Sequence, residues 1–527
     1  FWVKAGTAAS GLQVGANVDV EFLTQECKDS SFNGTGPNDP AVDHICHGRL
    51  ITLTDTNWHQ VFIPFFNSGP RSFPATTAAS SGNGNACMTG TICEPALMNP
   101  QHLQGIQFSL QQPFDTSPTL ANAYDAWVDD VALYKFSDTP ADQGLAPLTQ
   151  DSTTVNKFPH NGAVNAACTK PAGVDGKLIQ NAYATWKTNF VRTEGSYQKV
   201  ISPEIDGGAT VSEGIAYGMM ISVYMGDKTL FDGLYNYWKA HVVTGTTLMN
   251  WKYPSGGGTT PSGNNSATDA DEDAAFAVLE ASKQWPSGGY SAATLISDVY
   301  THDIDSGTSL PKGGSNYGSI NPTNPSYFSP AMYKEFAKVD THGWAAVVTA
   351  VYGAFNTGIG NAVTSGLVPA WCAGGNCSTV STNGAATDNE YQYDSHRVPW
   401  RLALDTCWNG STTGATYLNK LIGFFNTQAA TGLANLSDIY TTAGAKDATN
   451  GAPNSMSLIG CAGVGAMVNS TNAGGFRDRA WQFLIDGMYT DSPSFLGKTS
   501  TKGGYTYYNA TVGLLTMLTM SGNFYVM

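Results

Sequence analysis

The chain has 527 residues, too many for one hydrophobic core, so two or more domains are expected. Only 13% of the residues are charged and the net charge is -15, which argues against a nucleic-acid partner because phosphates would be repelled. No run of apolar residues reaches the length of a transmembrane helix, so no membrane partner is expected.

The chain opens on Phe1-Trp2-Val3-Lys4, which reads like the middle of a strand, so a signal peptide and a first strand are expected upstream. Residues 1–136 alternate with period two at Val18–Phe22, Trp58–Ile63, Ile106–Leu110 and Trp127–Tyr134, with turn-rich stretches between them. This pattern predicts an all-β, jelly-roll-like antiparallel sandwich. Residues 137–165 are polar and Pro-containing, without a period, as a linker would be. Residues 166–527 form the second domain, and its period is helical.

Twelve helical segments can be drawn there, starting near Lys177, Ser212, Thr229, Thr268, Tyr290, Tyr327, Gly343, Asp394, Ala415, Ser455, Phe476 and Tyr505. Links from an even segment to the next odd one are short, roughly two to seven residues, while links from odd to even are roughly 15 to 35 residues. That asymmetry predicts an all-α toroid of six hairpins, an (α/α)6 barrel, with the even helices inside. Small residues such as Gly214, Gly218, Gly460 and Gly463 would let the inner backbones approach. The long loops then gather at the N-terminal ends of the inner helices, where a cleft is expected.

Glu213, Asp269 and Asp394 fall at the starts of three even segments. Thr268 and Asp271 have the spacing of a capping box, and Pro399 suits a first helical turn. Taken singly, each acid is accounted for as a first-turn residue, stabilised by the helix dipole by about 0.3–1 kcal/mol. Three on one rim, framed by Tyr217, Trp251, Tyr327, Trp371, Tyr391, Tyr393, Trp400 and Tyr508, instead suggest a sugar cleft. Aromatic faces bind the C–H surfaces of sugar rings while carboxylates hold the hydroxyls, although about half of these aromatics are expected to be core.

Nine cysteines occur as close pairs, Cys27/Cys46, Cys87/Cys93 and Cys372/Cys377, with Cys168, Cys407 and Cys461 apart. No zinc spacing is present, so structural disulfides in an oxidising compartment are expected, with Cys407/Cys461 a candidate long-range pair. An odd count leaves at least one thiol over.

Several segments, in order over roughly residues 170–527, resemble glycoside hydrolase family 8. They are Ser212–Met219, Leu248–Trp251, Ser266–Ala275, Asn324–Pro330, Gly366–Pro369, Tyr393–Arg401 and Tyr508–Phe524. The resemblance implies an (α/α)6 barrel that cleaves a β-linked polysaccharide with inversion. It implies Glu213 as proton donor, Asp394 as base in the cellulase and xylanase branch, and Asp269 as the acid that binds and distorts the sugar. Arg397 would orient Asp394, Tyr393 and Tyr327 would assist the attacking water, and Trp251, Tyr217 and Trp371 would contact sugar. Ala370 departs from the family, which often has an acid there. No metal or cofactor is expected.

The expected activity is that of a secreted endo-β-1,4-glucanase. An endo-β-1,4-xylanase or a mixed-linkage glucanase is the nearest alternative, and a non-catalytic polysaccharide-binding or self-assembling protein is the alternative of another class. A monomer is expected. The opening Phe1–Lys4, Cys27…Cys46 beside His44, Trp58–Gln60 and Trp127–Val131 resemble sandwich-type carbohydrate-binding domains, which leaves open glycan or calcium binding by the first domain.

Overall fold

A computed structural model describes residues 148 and 150–527, apart from 172–173, 175, 177–178, 360–364, 376–383, 431, 454, 472–473 and 490–505, together with six strands between residues 2 and 129. The chain divides into two units, Phe1–Ser137 and Asp138–Met527.

In the first unit the described strands are β1 (Trp2–Ala5), β2 (Asn17–Thr24), β3 (His47–Thr52), β4 (His59–Gln60), β5 (Leu103–Gln111) and β6 (Ala126–Asp129). They form two antiparallel three-stranded sheets, ordered β4-β1-β6 and β3-β2-β5. The alternating segments at Val18–Phe22 and Ile106–Leu110 lie in β2 and β5 and pair with each other. Cys27, Cys46, Cys87 and Cys93 lie outside the described residues.

The second unit contains α1 (Ile179–Phe190), α2 (Ser212–Met225), α3 (Lys228–Ala240), α4 (Thr268–Gln284), α5 (Ala293–Asp298), α6 (Pro330–Phe336), α7 (Trp344–Gly353), α8 (Tyr393–Asn409), α9 (Ala415–Gln428), α10 (Met456–Gly465), α11 (Gly474–Tyr489) and α12 (Thr506–Ser521). The even helices touch in sequence, α2 to α4 to α6 and onward, and α12 returns to α2. The described helices therefore close a ring of six, with the odd helices packed outside it.

Sequence composition explains which helix goes where. In α2 every residue except Glu213 is buried, and all of α10 is buried. A helix apolar all round has to be enclosed. The outer α3 buries only Leu230, Phe231, Gly233, Leu234, Tyr237 and Trp238, one stripe at helical spacing. Each such large apolar side chain contributes about 1.5–3 kcal/mol when withdrawn from water. Small residues set the inner contacts: a Cβ at Gly460 would lie 2.3 Å from Thr516 Oγ1 of α12. Helix α2 stops at Gly226 with φ 70°, and Asp227 starts α3 by accepting from Leu230 N.

Three expectations change. Pro399 sits well inside α8, not in its first turn, and its ring fits against Gly465 of α10, where a Cβ would meet Pro399 Cβ at 3.0 Å. Thr268 and Asp271 form no capping box: Ala267 is the N-cap, and Thr268 Oγ1 is buried without a partner. Cys407 pairs with Cys168 across 239 residues, leaving Cys461 free and buried. Cys372 is disulfide-bonded, and Cys377 lies outside the described residues.

From Gln150 onward, the span read as linker is fastened to the helices. Asn156 N donates to Gln284 Oε1 at 2.8 Å, and the backbone N–H groups of His160 and Asn161 both donate to Asn523 Oδ1. Backbone hydrogen bonds of this kind are invisible to a reading based on apolar period.

Candidate active site

The long segments entering the inner helices build one rim. Strand β7 (Thr210–Val211) pairs with β8 (Lys252–Tyr253), and Ser212 N donates to Trp251 O at 2.9 Å. These bonds fix the start of α2. At α8, Gln392 caps the helix by accepting from Asp394 N at 3.2 Å. Glu213, Asp269 and Asp394 each occupy the second position of their helices, α2, α4 and α8. Three equivalent positions on a ring of inner helices converge at one mouth, where the helix N-termini favour negative charge.

Arg397, one turn into α8, joins all three acids. Its Nη1 donates to Glu213 Oε2 at 2.8 Å and to Asp269 Oδ2 at 2.5 Å, and its Nη2 donates to Asp394 Oδ1 at 2.9 Å. Nη1 also reaches Tyr217 Oη at 3.0 Å, and Nη2 reaches Ser326 Oγ at 2.8 Å. With those contacts to nitrogens about 2.3 Å apart in a planar guanidinium, the nearest oxygens of Glu213 and Asp394 are no more than about 8 Å apart. Nη1 has two hydrogens and three acceptors, so its neighbours compete for it. The guanidinium is fully buried, with the Tyr327 and Tyr508 rings 5.5 and 5.8 Å from it.

Exposure grades the three carboxyls. The Glu213 and Asp394 side chains keep 18% and 29% of their surface, while Asp269 keeps 5%. Burial pushes Glu213 up to about 8, helped by Asp269 and Asp394 and opposed by Arg397 and a hydrogen bond from Tyr507. Burial also raises Asp394 above the ordinary carboxylate value, with Arg397 the main opposing influence. Arg397, expected to orient Asp394, is shared with Glu213 and Asp269 as well.

Below this layer lies a second buried set of charges. Arg401 pairs with both oxygens of Asp273, and Glu272 accepts from Ser329 Oγ at 2.5 Å and Tyr333 Oη at 2.7 Å. Asp271 and Asp303 are fully buried together, with Ser266 Oγ donating to Asp303 Oδ1 at 3.3 Å. Burial and the Asp303 charge hold Asp271 well above its ordinary value, and burial raises Asp303 to about 7.

The aromatic residues divide into platform and support. Trp251 is 37% exposed, and its indole lies over Gly263, where a Cβ would approach Nε1 to 2.1 Å. Tyr217 is fully buried with its hydroxyl on Arg397, and Trp371 is 7% exposed, stacked on Tyr317 and edge-on to Tyr327. Both residues expected to contact sugar are thus largely enclosed by neighbouring side chains. Tyr393 directs its hydroxyl to Asp438 Oδ2 at 2.5 Å, and its carbonyl accepts from Tyr508 Oη. Ala370, the departure from the family pattern, is fully buried in the cluster with Tyr327 and Trp371.

Sequence reading missed Tyr507, whose hydroxyl donates to Glu213 Oε1 at 3.1 Å, and Ser326, which receives Arg397. Tyr507 had a signal available in its place beside Tyr508 at the start of the last inner helix. Among the described residues, no His, Cys, Asp and Glu side chains gather as a metal site.

The profile of the glycosyl hydrolases family 8 matches residues 160–522. The chain belongs to this family. It is 30% identical to endoglucanase C of Ruminiclostridium cellulolyticum over 70% of this chain and 75% of that protein. It is 32% identical to endoglucanase A of Acetivibrio thermocellus over 66% of this chain and 69% of the relative. The apo structure of a beta-1,3-1,4-glucanase from Paenibacillus sp. X4 superposes with a TM-score of 0.61 at 26% identity, covering 71% of this chain and 99% of that one. A reducing-end-xylose releasing exo-oligoxylanase superposes at 0.53 with 20% identity, covering 67% and 95%, a likeness of fold alone. The chain is therefore a glycoside hydrolase with a helical-barrel catalytic domain.

Proposed function

We propose that the enzyme is an inverting endo-β-1,4-glucanase in which Glu213 is the general acid, Asp394 the general base and Asp269 the group that holds the sugar at the cleavage point. The observation that carries this reading is the joint hold of Arg397 on all three carboxyls. Glu213, with its value near 8, enters neutral solution protonated and can give its proton to the glycosidic oxygen. Asp394 takes a proton from water, and that water attacks the anomeric carbon from the face opposite the leaving group. An inverting pair needs about 6.5–9.5 Å between carboxyls to seat the water, and the 8 Å ceiling set by Arg397 overlaps that window. Asp269, nearly buried, is fixed by Arg397 to meet a ring hydroxyl. Trp251, beside the start of α2, provides the exposed ring on which a further sugar stacks.

Relatives named endoglucanases support glucan as substrate. Mixed-linkage glucan is the second reading, supported by the neighbour named beta-1,3-1,4-glucanase. The test is reducing-sugar release from carboxymethylcellulose, mixed-linkage glucan, xylan and chitosan by wild type and Glu213→Gln. Release from carboxymethylcellulose, lost in the variant, with an α-anomeric product seen first by NMR, is expected. A β-anomeric first product rejects inversion, and an active Glu213→Gln rejects the acid.

The two sheets of the N-terminal unit are proposed to form a sandwich that binds glycan, a reading supported by their antiparallel pairing and period-two sequence. A pull-down of residues 1–137 with insoluble cellulose tests it, and no retention rejects it. The Cys168–Cys407 disulfide supports secretion to an oxidising compartment.

A further inference from the structure

The two oxygens of Glu213 have different neighbours. Oε2 accepts from Arg397 Nη1 at 2.8 Å, and Oε1 accepts from Tyr507 Oη at 3.1 Å. A guanidinium can only donate, whereas a phenol hydroxyl can donate or accept. The carbonyl oxygen of a neutral carboxyl is its better acceptor, so Arg397 selects Oε2 as carbonyl and leaves the proton to Oε1, beside Tyr507.

Tyr507 is itself held from two sides. Its backbone N–H, in the first turn of α12, donates to the Glu204 carboxylate, and its ring lies edge-on to Phe190. A Cβ at Gly214 would stand 2.9 Å from Tyr507 Oη, so the glycine after Glu213 leaves room for this hydroxyl. Tyr507 is 2% exposed, so it is not placed to touch substrate.

We propose that Tyr507 is a positioning residue for the general acid: Arg397 leaves the proton to Oε1, the Tyr507 hydroxyl holds that oxygen in place and donates to it once the proton has gone, and Glu204 fixes Tyr507 by tying down the first turn of α12. This rests on the reading of Glu213 as the acid. When the proton leaves Oε1 for the leaving-group oxygen, negative charge grows on Oε1 and the Tyr507 hydroxyl donates to it. A bond that strengthens as charge develops raises kcat rather than substrate affinity.

Charged or titratable groups facing Glu213 are Arg397 and Asp394 from α8, Asp269 from α4, Tyr217 from its own helix, Tyr327 from the turn before α6, and Tyr507 and Tyr508 from α12. Tyr507→Phe removes one donor to the ionised form and keeps the ring. Loss of that donor makes ionisation harder, so the basic limb of the kcat profile moves upward in pH, by about one unit. The kcat at the optimum falls roughly tenfold to a hundredfold with KM unchanged. Glu204→Ala, which frees Tyr507 without altering it, shifts kcat in the same direction by less. It also decides the matter if Tyr507→Phe does not fold.

A folded Tyr507→Phe with an unmoved basic limb and wild-type kcat overturns the proposal, since packing alone would survive the change. Glu213→Gln, measured in parallel, separates the two readings. If it remains active, the acid assignment fails. If it is inactive while Tyr507→Phe matches wild type, only the positioning role fails.

Discussion

Arg397 donates Nη2 to Asp394 Oδ1 at 2.9 Å from three residues further along the same helix. The same side chain carries Glu213 and Asp269, which belong to two other helices. A lysine offers a single ammonium and cannot reproduce this fork. Arg397→Lys is expected to lower kcat/KM at least a hundredfold. Arg397→Met leaves three inward carboxyls without their cation, which costs about 3–5 kcal/mol near neutrality. Thermal unfolding at pH 5 and pH 8 checks this, and the larger loss belongs at pH 8, where the carboxyls are harder to neutralise by protonation.

Glu213 gives the pH dependence its sign. Its folded value of about 8 lies above the ordinary 4.5, so between those values the folded chain holds a proton that the unfolded chain has released. Stability from this group is complete below about 4.5 and falls as pH rises towards 8. Glu213→Gln has no proton to lose, so its melting temperature should exceed that of wild type at pH 8 and match it near pH 4. Activity in wild type should fall as pH passes through 8, and a basic limb centred near 5 would contradict this assignment.

Asp271 and Asp303 follow the same rule with no expected part in the chemistry. Both have raised values, so their contribution also weakens as pH rises from the ordinary carboxylate range towards neutrality. An amide at position 271 has nearly the same shape as the carboxyl and does not titrate. Asp271→Asn should raise stability at pH 8 by about 1–2 kcal/mol and change little at pH 4. Denaturant titrations at the two pH values measure the difference.

Trp251 is predicted to act on binding. Trp251→Ala keeps the backbone carbonyl that Ser212 N uses, and so keeps the start of α2. Loss of a stacking face is worth about 1–2 kcal/mol, so KM for long cello-oligosaccharides should rise roughly tenfold. Kinetics on a length series checks it: oligosaccharides too short to reach the platform should be unaffected.

The helical ring was legible in the sequence because its signal is local. Fully apolar stretches with small residues, such as Met456–Gly465, alternate with one-sided stretches such as Lys228–Ala240, and link length separates the two kinds. The acids were legible as second-position residues of inner helices. The hub was only half legible: the spacing of Asp394 and Arg397 shows one contact, but Glu213 and Asp269 lie 184 and 128 residues away from Arg397. Burial also escapes a one-dimensional reading, so the enclosure of Tyr217 and Trp371 was not legible in the sequence. The Cys168–Cys407 bridge fails for a similar reason, since neither residue has a close neighbour in sequence.

One feature of the Arg397 cluster bears on the reaction coordinate. In the proposed mechanism a neutral Glu213 shares one fixed cation with Asp269 and Asp394 before reaction. Handing the proton to the departing sugar would turn Glu213 into an anion at the moment the remaining sugar ring becomes oxocarbenium-like. On that reading the cleft generates its own counter-ion for the transient cation, on demand, by the transfer of one proton.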